Sequence, residues 1–158
     1  MANDIHLKID GLEGESVAKG NEKSIQVLSW KCGVTNKHSA DHGGGLGSGK
    51  AEPHHLEFTH HYDKASPVLQ RHCAAGKHLP KVVLSVAKSG DGQKEYLTVT
   101  LKNAFVTHIS HDCQSDATLS TVHLAYEDIE HEYKQQGDDG SLKGSVKAGW
   151  NTKTHELR

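Results

Sequence analysis

Only one stretch of this 158-residue chain, residues 63–80, carries both a start and a stop signal for a helix. Ser66 followed by Pro67 reads as an N-cap and first helical residue: the hydroxyl can accept from free N–H groups of the first turn, and proline lacks only an N–H that would be orphaned there. Gly76 can take the left-handed conformation that ends the helix, and Pro80 prevents its continuation. Between them Leu69 and Cys73, with Val68, His72 and Ala75, follow the spacing of a helix with one packed face. A helix over about 66–75 is three turns long, too short to stand alone in water, so it must lie against a larger body.

That body reads as β. Ile5, Leu7 and Ile9 alternate with polar residues and mark a first strand ending at Gly11. After a polar loop, residues 24–34 resume as a strand whose phase slips. Ile25 and Val27 occupy one parity and Leu28, Trp30 and Cys32 the other, which predicts a bulge near Val27 and Leu28, or early burial on both sides. Ser29 and Lys31 point away from Trp30 and Cys32. Residues 35–53 form a long glycine-rich loop of the length that is usually functional or a linker. Leu56 and Phe58 mark a strand into the helix, and Val82, Leu84 and Val86 one out of it. Ser89-Gly90-Asp91-Gly92 signals a hairpin.

Leu97, Val99 and Leu101 continue the sheet, with a kink expected at Lys102 and Asn103 before the run resumes through residue 110; His111 to Asp116 then reads as a turn. Val122, Leu124 and Tyr126, then Ile129, His131 and Tyr133, read as one long strand whose phase slips near Glu127 and Asp128. Residues 136–140 make a turn, and 146–151 a last short strand. Seven or so strands, bulged, with one helix make a mainly β domain spanning residues 1–158: a small barrel of two packed sheets, one flanking helix and an extended loop over about 35–53.

Composition narrows the function. Eighteen basic against twenty acidic residues give a net charge of −2 and no electrostatic case for a nucleic-acid or anionic-membrane partner. Apolar runs are too short for a membrane span, and the first residues do not read as a signal peptide, so cytosolic synthesis and folding are expected. Cys32, Cys73 and Cys113 lack a Cys-x-x-Cys pair and read as reduced thiols. Fourteen histidines are the oddity. His54-His55 and His60-His61 invite a metal reading, but adjacent strand residues face opposite sides and cannot act as a pincer; only a partner folded in from elsewhere, such as His72 or His123, could complete a site. The favoured reading is mostly surface histidines, with no metal and no cofactor.

Residues 44–51 nearly spell a phosphate-binding loop. Ala51 supplies no hydroxyl for magnesium, however, and Glu52-Pro53 blocks the helix whose N-terminus would hold the phosphates. His72-Cys73 and His111-Asp112-Cys113 lack an orienting third group, so nothing in the sequence points to an enzyme.

Several blocks together carry a resemblance: Lys8-Ile9-Asp10-Gly11 with Gly14-Glu15-Ser16, Val27-Leu28-Ser29-Trp30 with Gly33-Val34, and Phe58-Thr59. The remainder are residues 62–69, 73–80 and 95–102 and Val146-Lys147-Ala148-Gly149-Trp150-Asn151. From end to end the chain resembles Hcp, the haemolysin-coregulated tube protein family of bacterial type VI secretion systems. The resemblance implies a homo-hexameric ring whose copies stack into a hollow tube, with effector cargo in its lumen, spike and sheath proteins as partners, and export without a cleaved signal. Within that frame Ser29 and Lys31 are the expected lumen face, and His38, His42, Gly45, Leu46 and Lys50 the expected inter-subunit arm. Cys32, where the family often has an aromatic, and the histidine content depart from the pattern. A histidine-rich metal-binding protein and a secreted effector or toxin are the alternatives.

Overall fold

The computed structural model describes residues 2–37, 50–90 and 94–158. Among these described residues ten strands and one helix follow one another as β1 (Asn3–Ile9), β2 (Ile25–Lys31), β3 (Val34–Asn36), β4 (Ala51–Pro53), β5 (Leu56–His61), α1 (Ala65–Ala75), β6 (His78–Lys88), β7 (Glu95–Cys113), β8 (Thr118–Ala125), β9 (Asp128–Gln136) and β10 (Leu142–Asn151). Strands β7, β6, β1, β2, β5 and β8 pair in that order, and β8 pairs back onto β7, closing a six-stranded barrel. The expected small β-barrel is thus formed by one sheet closed on itself.

Closure depends on the length of β7. One of its edges is taken by β6 from Glu95 to Phe105; the other is shared end to end, by β9 along Leu97 to Lys102 and by β8 along Phe105 to Cys113. The expected single strand over residues 122–133 is therefore two, separated at Tyr126 and Glu127, and its phase slip is the point where one arm of the sheet closes the barrel and the other leaves to pair with β10. Asn103 at φ 49° bends β7 between the two regions, as the kink required. His111 to Cys113, expected in a turn, instead continue β7 against Thr118 to Ser120.

The alternation holds where it was strongest. Leu7, Ile25, Val27, Leu56, Phe58, Val82, Leu84, Val99, Leu101, Val122 and Leu124 are buried in one cluster. The pairing of β2 with β5 shifts between Val27 and Ser29, which is the predicted bulge, and it brings Trp30 and Cys32 back against the core. The ends of the long loop are not loop: Val34 to Asn36 pair antiparallel with Ala51 to Pro53 as a two-stranded arm. His38, His42, Gly45 and Leu46 lie outside the described residues.

The helix starts earlier than Ser66 and Pro67 suggested. Asp63 Oδ1 accepts the Ala65 N–H at 2.9 Å, and Ser66 Oγ accepts the Asp63 N–H at 3.1 Å. The capping carboxylate is Asp63, and Ser66 is its reciprocal partner one turn in, because its side chain is buried against the barrel. Pro67 still falls in the first turn, where its missing N–H is harmless. Gly76, at φ 64°, ends the helix with its N–H on the Cys73 carbonyl. The buried face is Ala65, Ser66, Leu69 and His72, with Val68 and Cys73 packed at its margin. A fully buried Leu69 contributes about 2 kcal/mol of apolar transfer to holding the helix down.

Candidate functional surface

Strands β2, β5, β8 and the second half of β7 are neighbours around the barrel, and their registers align residues in rows on its outer side. Lys31 lies opposite Glu57, Glu57 opposite His123, and His123 opposite His108. One step along the strands, Ser29 lies opposite Thr59, Thr59 opposite Thr121, and Thr121 opposite Ser110. Intervening Phe58 and Val122 point into the core, which is why every member of both rows faces outward.

The first row is a chain of polar and ring contacts. Lys31 Nζ stands 3.2 Å from Glu57 Oε2, that oxygen 3.7 Å from His123 Nε2, and the His123 and His108 rings have centroids 4.5 Å apart. The second row is hydroxylic, with Thr59 and Thr121 Oγ1 atoms 3.4 Å apart. Exposed ion pairs of this kind stabilise a fold by about 0–1 kcal/mol, so the rows matter as a recognition surface more than as a brace. Ser29 and Lys31 are both exposed on this wall. The sequence showed their parity; their partners on three other strands needed the register.

The arm of β3 and β4 is tied to the barrel by His54. Its N–H donates to the Gly33 carbonyl at 2.9 Å, its Nε2 lies 2.7 Å from Thr35 Oγ1, and its carbonyl accepts the Tyr126 hydroxyl at 2.9 Å. A side chain on Gly33 would stand 3.1 Å from the His54 ring, so the close crossing favours glycine there. Burial pushes the Cys32 thiol and the Tyr126 hydroxyl above their ordinary values, leaving both protonated and Cys32 a poor nucleophile. Lys50, at the foot of the arm, is exposed.

The surface reading of the histidines fails at three positions. His6, His60 and His72 are buried, and burial holds each below the ordinary imidazole value. His60 fills the barrel beneath the helix, beside Phe58 and Asp63. Period-two parity alone could have placed His60 on the Phe58 side; its register partner Ser120 bonds to Ser66 and Asp63 Oδ2 stands 3.8 Å away, so polar groups lie near its ring but none hydrogen-bonds to it. Among the described residues, no three His, Cys, Asp or Glu side chains stand together as a ready metal cluster.

Comparison with known proteins points in one direction. The family model described as "Type VI secretion system effector, Hcp" matches residues 6–133. The chain is 37% identical over 155 residues to "Protein hcp1" of Pseudomonas aeruginosa, covering 96% of each. Among solved structures it is similar to Hcp1 from Salmonella typhimurium, with 34% identity, all of both chains covered and a TM-score of 0.82. It is also similar to a protein described as a type six secretion system protein, with 26% identity, 99% and 100% coverage and a TM-score of 0.93.

Proposed function

This chain belongs to the type VI secretion Hcp family, and on that premise we propose that it is the repeating subunit of a secretion tube. Six protomers close into a ring, rings stack into a hollow tube, and small effector proteins ride in the lumen. Spike and sheath proteins of the same system are the remaining partners. The subunit leaves the cell with the tube and works as a structural carrier, not as an enzyme.

The observation that carries the reading is the polar wall on β2, β5, β8 and β7. A lumen that holds varied cargo must be wetted and carry charges of both signs, without a deep pocket that would select one ligand. Lys31 and Glu57 supply the charges and the Ser29, Thr59, Thr121 and Ser110 row the hydroxyls. Ser29 and Lys31 are the cargo-facing residues in this reading.

Ring closure needs two different surfaces of each protomer to fit one another. Exposed Val34, Phe105, Tyr133 and Val146 offer apolar area for such contacts, and the β3–β4 arm, with His38, His42, Gly45, Leu46 and Lys50, reaches a neighbouring protomer or the next ring. Among the described residues no helix is long and apolar enough to cross a membrane.

The test is the particle. Untagged protein imaged in negative stain and measured by light scattering is expected to give rings with a central hole at six times 17.2 kDa. A strict monomer over a wide concentration range would count decisively against the proposal.

A further inference from the structure

The histidine pairs adjacent in sequence make no pincer, but the fold brings one other pair of histidines side by side. We propose that His108 on β7 and His123 on β8 form a bidentate site for a borderline divalent transition cation of the nickel or zinc class, with Glu57 as the third ligand.

The two histidines are register partners on neighbouring strands, with ring centroids 4.5 Å apart and planes inclined by 36°. Their alignment is the product of an irregularity: the β7–β8 register shifts between Val106 and His108, so that the extra residue, Thr107, is passed over and His108 faces His123. The Thr107 hydroxyl secures the bulge by donating to the His123 carbonyl at 3.3 Å, and it also lies 3.1 Å from His55 Nδ1. Fourteen residues of sequence separate the pair, so no local motif announces it.

The donor chemistry fits. Neutral imidazole nitrogens suit zinc, nickel and copper, and a carboxylate oxygen is a common companion. Glu57 Oε2 lies 3.7 Å from His123 Nε2. Metal–ligand bonds of about 2.0–2.2 Å let one cation span that gap with a wide angle between the two ligands. Glu57 now also faces Lys31 at 3.2 Å, and the three side chains do not stand as a finished cluster, so the cation draws the carboxylate toward the imidazoles on binding. The His123 side chain is 28% exposed, which leaves an entry path and room for water as further ligands. The site lies within one chain, so its test stands apart from ring assembly.

The experiment titrates Ni²⁺ alone into untagged full-length protein by calorimetry, comparing wild type with His108→Asn, His123→Asn, Glu57→Gln and the control His131→Asn on the exposed β9 surface. One site per chain is expected, weakened at least tenfold by either of the first two changes, several-fold by Glu57→Gln, and not at all by His131→Asn. A cation tying β7 to β8 also raises the unfolding temperature, so Ni²⁺ is expected to stabilise wild type and His131→Asn but neither His108→Asn nor His123→Asn. Weak binding spread over many histidines, unchanged in His108→Asn and His123→Asn, would overturn the site; an unchanged affinity in Glu57→Gln would remove the carboxylate from it.

Discussion

Glu15 Oε2 accepts the Lys64 backbone N–H at 2.8 Å, so a loop residue 49 positions upstream completes the N-terminus of the only helix among the described residues. A carboxylate there satisfies a donor that the helix cannot and sits at the positive end of its dipole. Glu15→Ala is expected to cost about 1 kcal/mol, and Glu15→Gln less because an acceptor remains. Urea midpoints measure the loss, and faster exchange of the Lys64 and Ala65 amides localises it. Unchanged midpoints would mean that Asp63 caps the helix unaided.

Gly14 is closed to any side chain. A Cβ there would stand 2.4 Å from the Ser24 carbonyl oxygen and 2.7 Å from the Ile25 Cα, both backbone atoms that cannot swing aside. Gly14→Ala should therefore cost about 2 kcal/mol or more by forcing the loop off β2. Gly144→Ala, with open space around the same construction, is expected to be near neutral in the same thermal melt.

Stability should fall between pH 7.5 and 5. His6, His60 and His72 are held by burial below the ordinary value of 6.5, against the opposing pull of Asp63 on His60 and of Asp4 and Glu95 on His6. As pH drops through 6.5 the unfolded chain takes up protons that the folded chain refuses. The stability present above that value is then lost progressively on acidification. His60 is the sharpest case: it is fully buried, and neither ring nitrogen has a hydrogen-bond partner among the described residues, Asp63 Oδ2 standing 3.8 Å away. The His61 backbone also favours its protonation, while the charges of His111 and His61 oppose it, and burial outweighs them all. His60→Leu is expected to be neutral or stabilising by about 1 kcal/mol at pH 7 and to flatten part of the pH dependence. Equal urea midpoints at pH 7.5 and 5 in the wild type would refute this account.

Lys31→Glu replaces the contact with Glu57 by a like-charge pair on an exposed wall, where the cost to folding is within about 1 kcal/mol. The proposed lumen position predicts intact rings with altered cargo retention, read by co-purification of effector with the ring peak. Rings that fall apart would place Lys31 at a subunit contact.

The amount legible in the sequence varied with how local each signal was. Alternation at Ile5, Leu7 and Ile9, at Val82, Leu84 and Val86, and at Leu97, Val99 and Leu101 placed three walls of the barrel, because period-two burial is written strand by strand. The slips at Val27 and near Glu127 were visible as phase changes, although only the structure turned the second into a branch between β8 and β9. Ser66 reads as the cap because Ser-Pro is a strong local signal. Asp63 took that role once Ser66 was needed against the barrel. Of the candidate wall, Ser29 and Lys31 could be assigned a face by parity, but Glu57, Thr59, Thr121, His123 and His108 are partners only through register.

By itself the sequence determined which apolar strand residues turn inward, where the helix ends, and, through its ordered blocks, the family. Tertiary structure alone decided that the sheet closes on itself, that β7 serves two neighbours on one edge, that His60 is sealed beneath the helix and that His108 meets His123. The division has a physical cause. Side-chain direction is set by the backbone period over a few residues, whereas register and closure are set by the summed fit of strands far apart in the chain, where one inserted residue such as Thr107 changes every pairing beyond it.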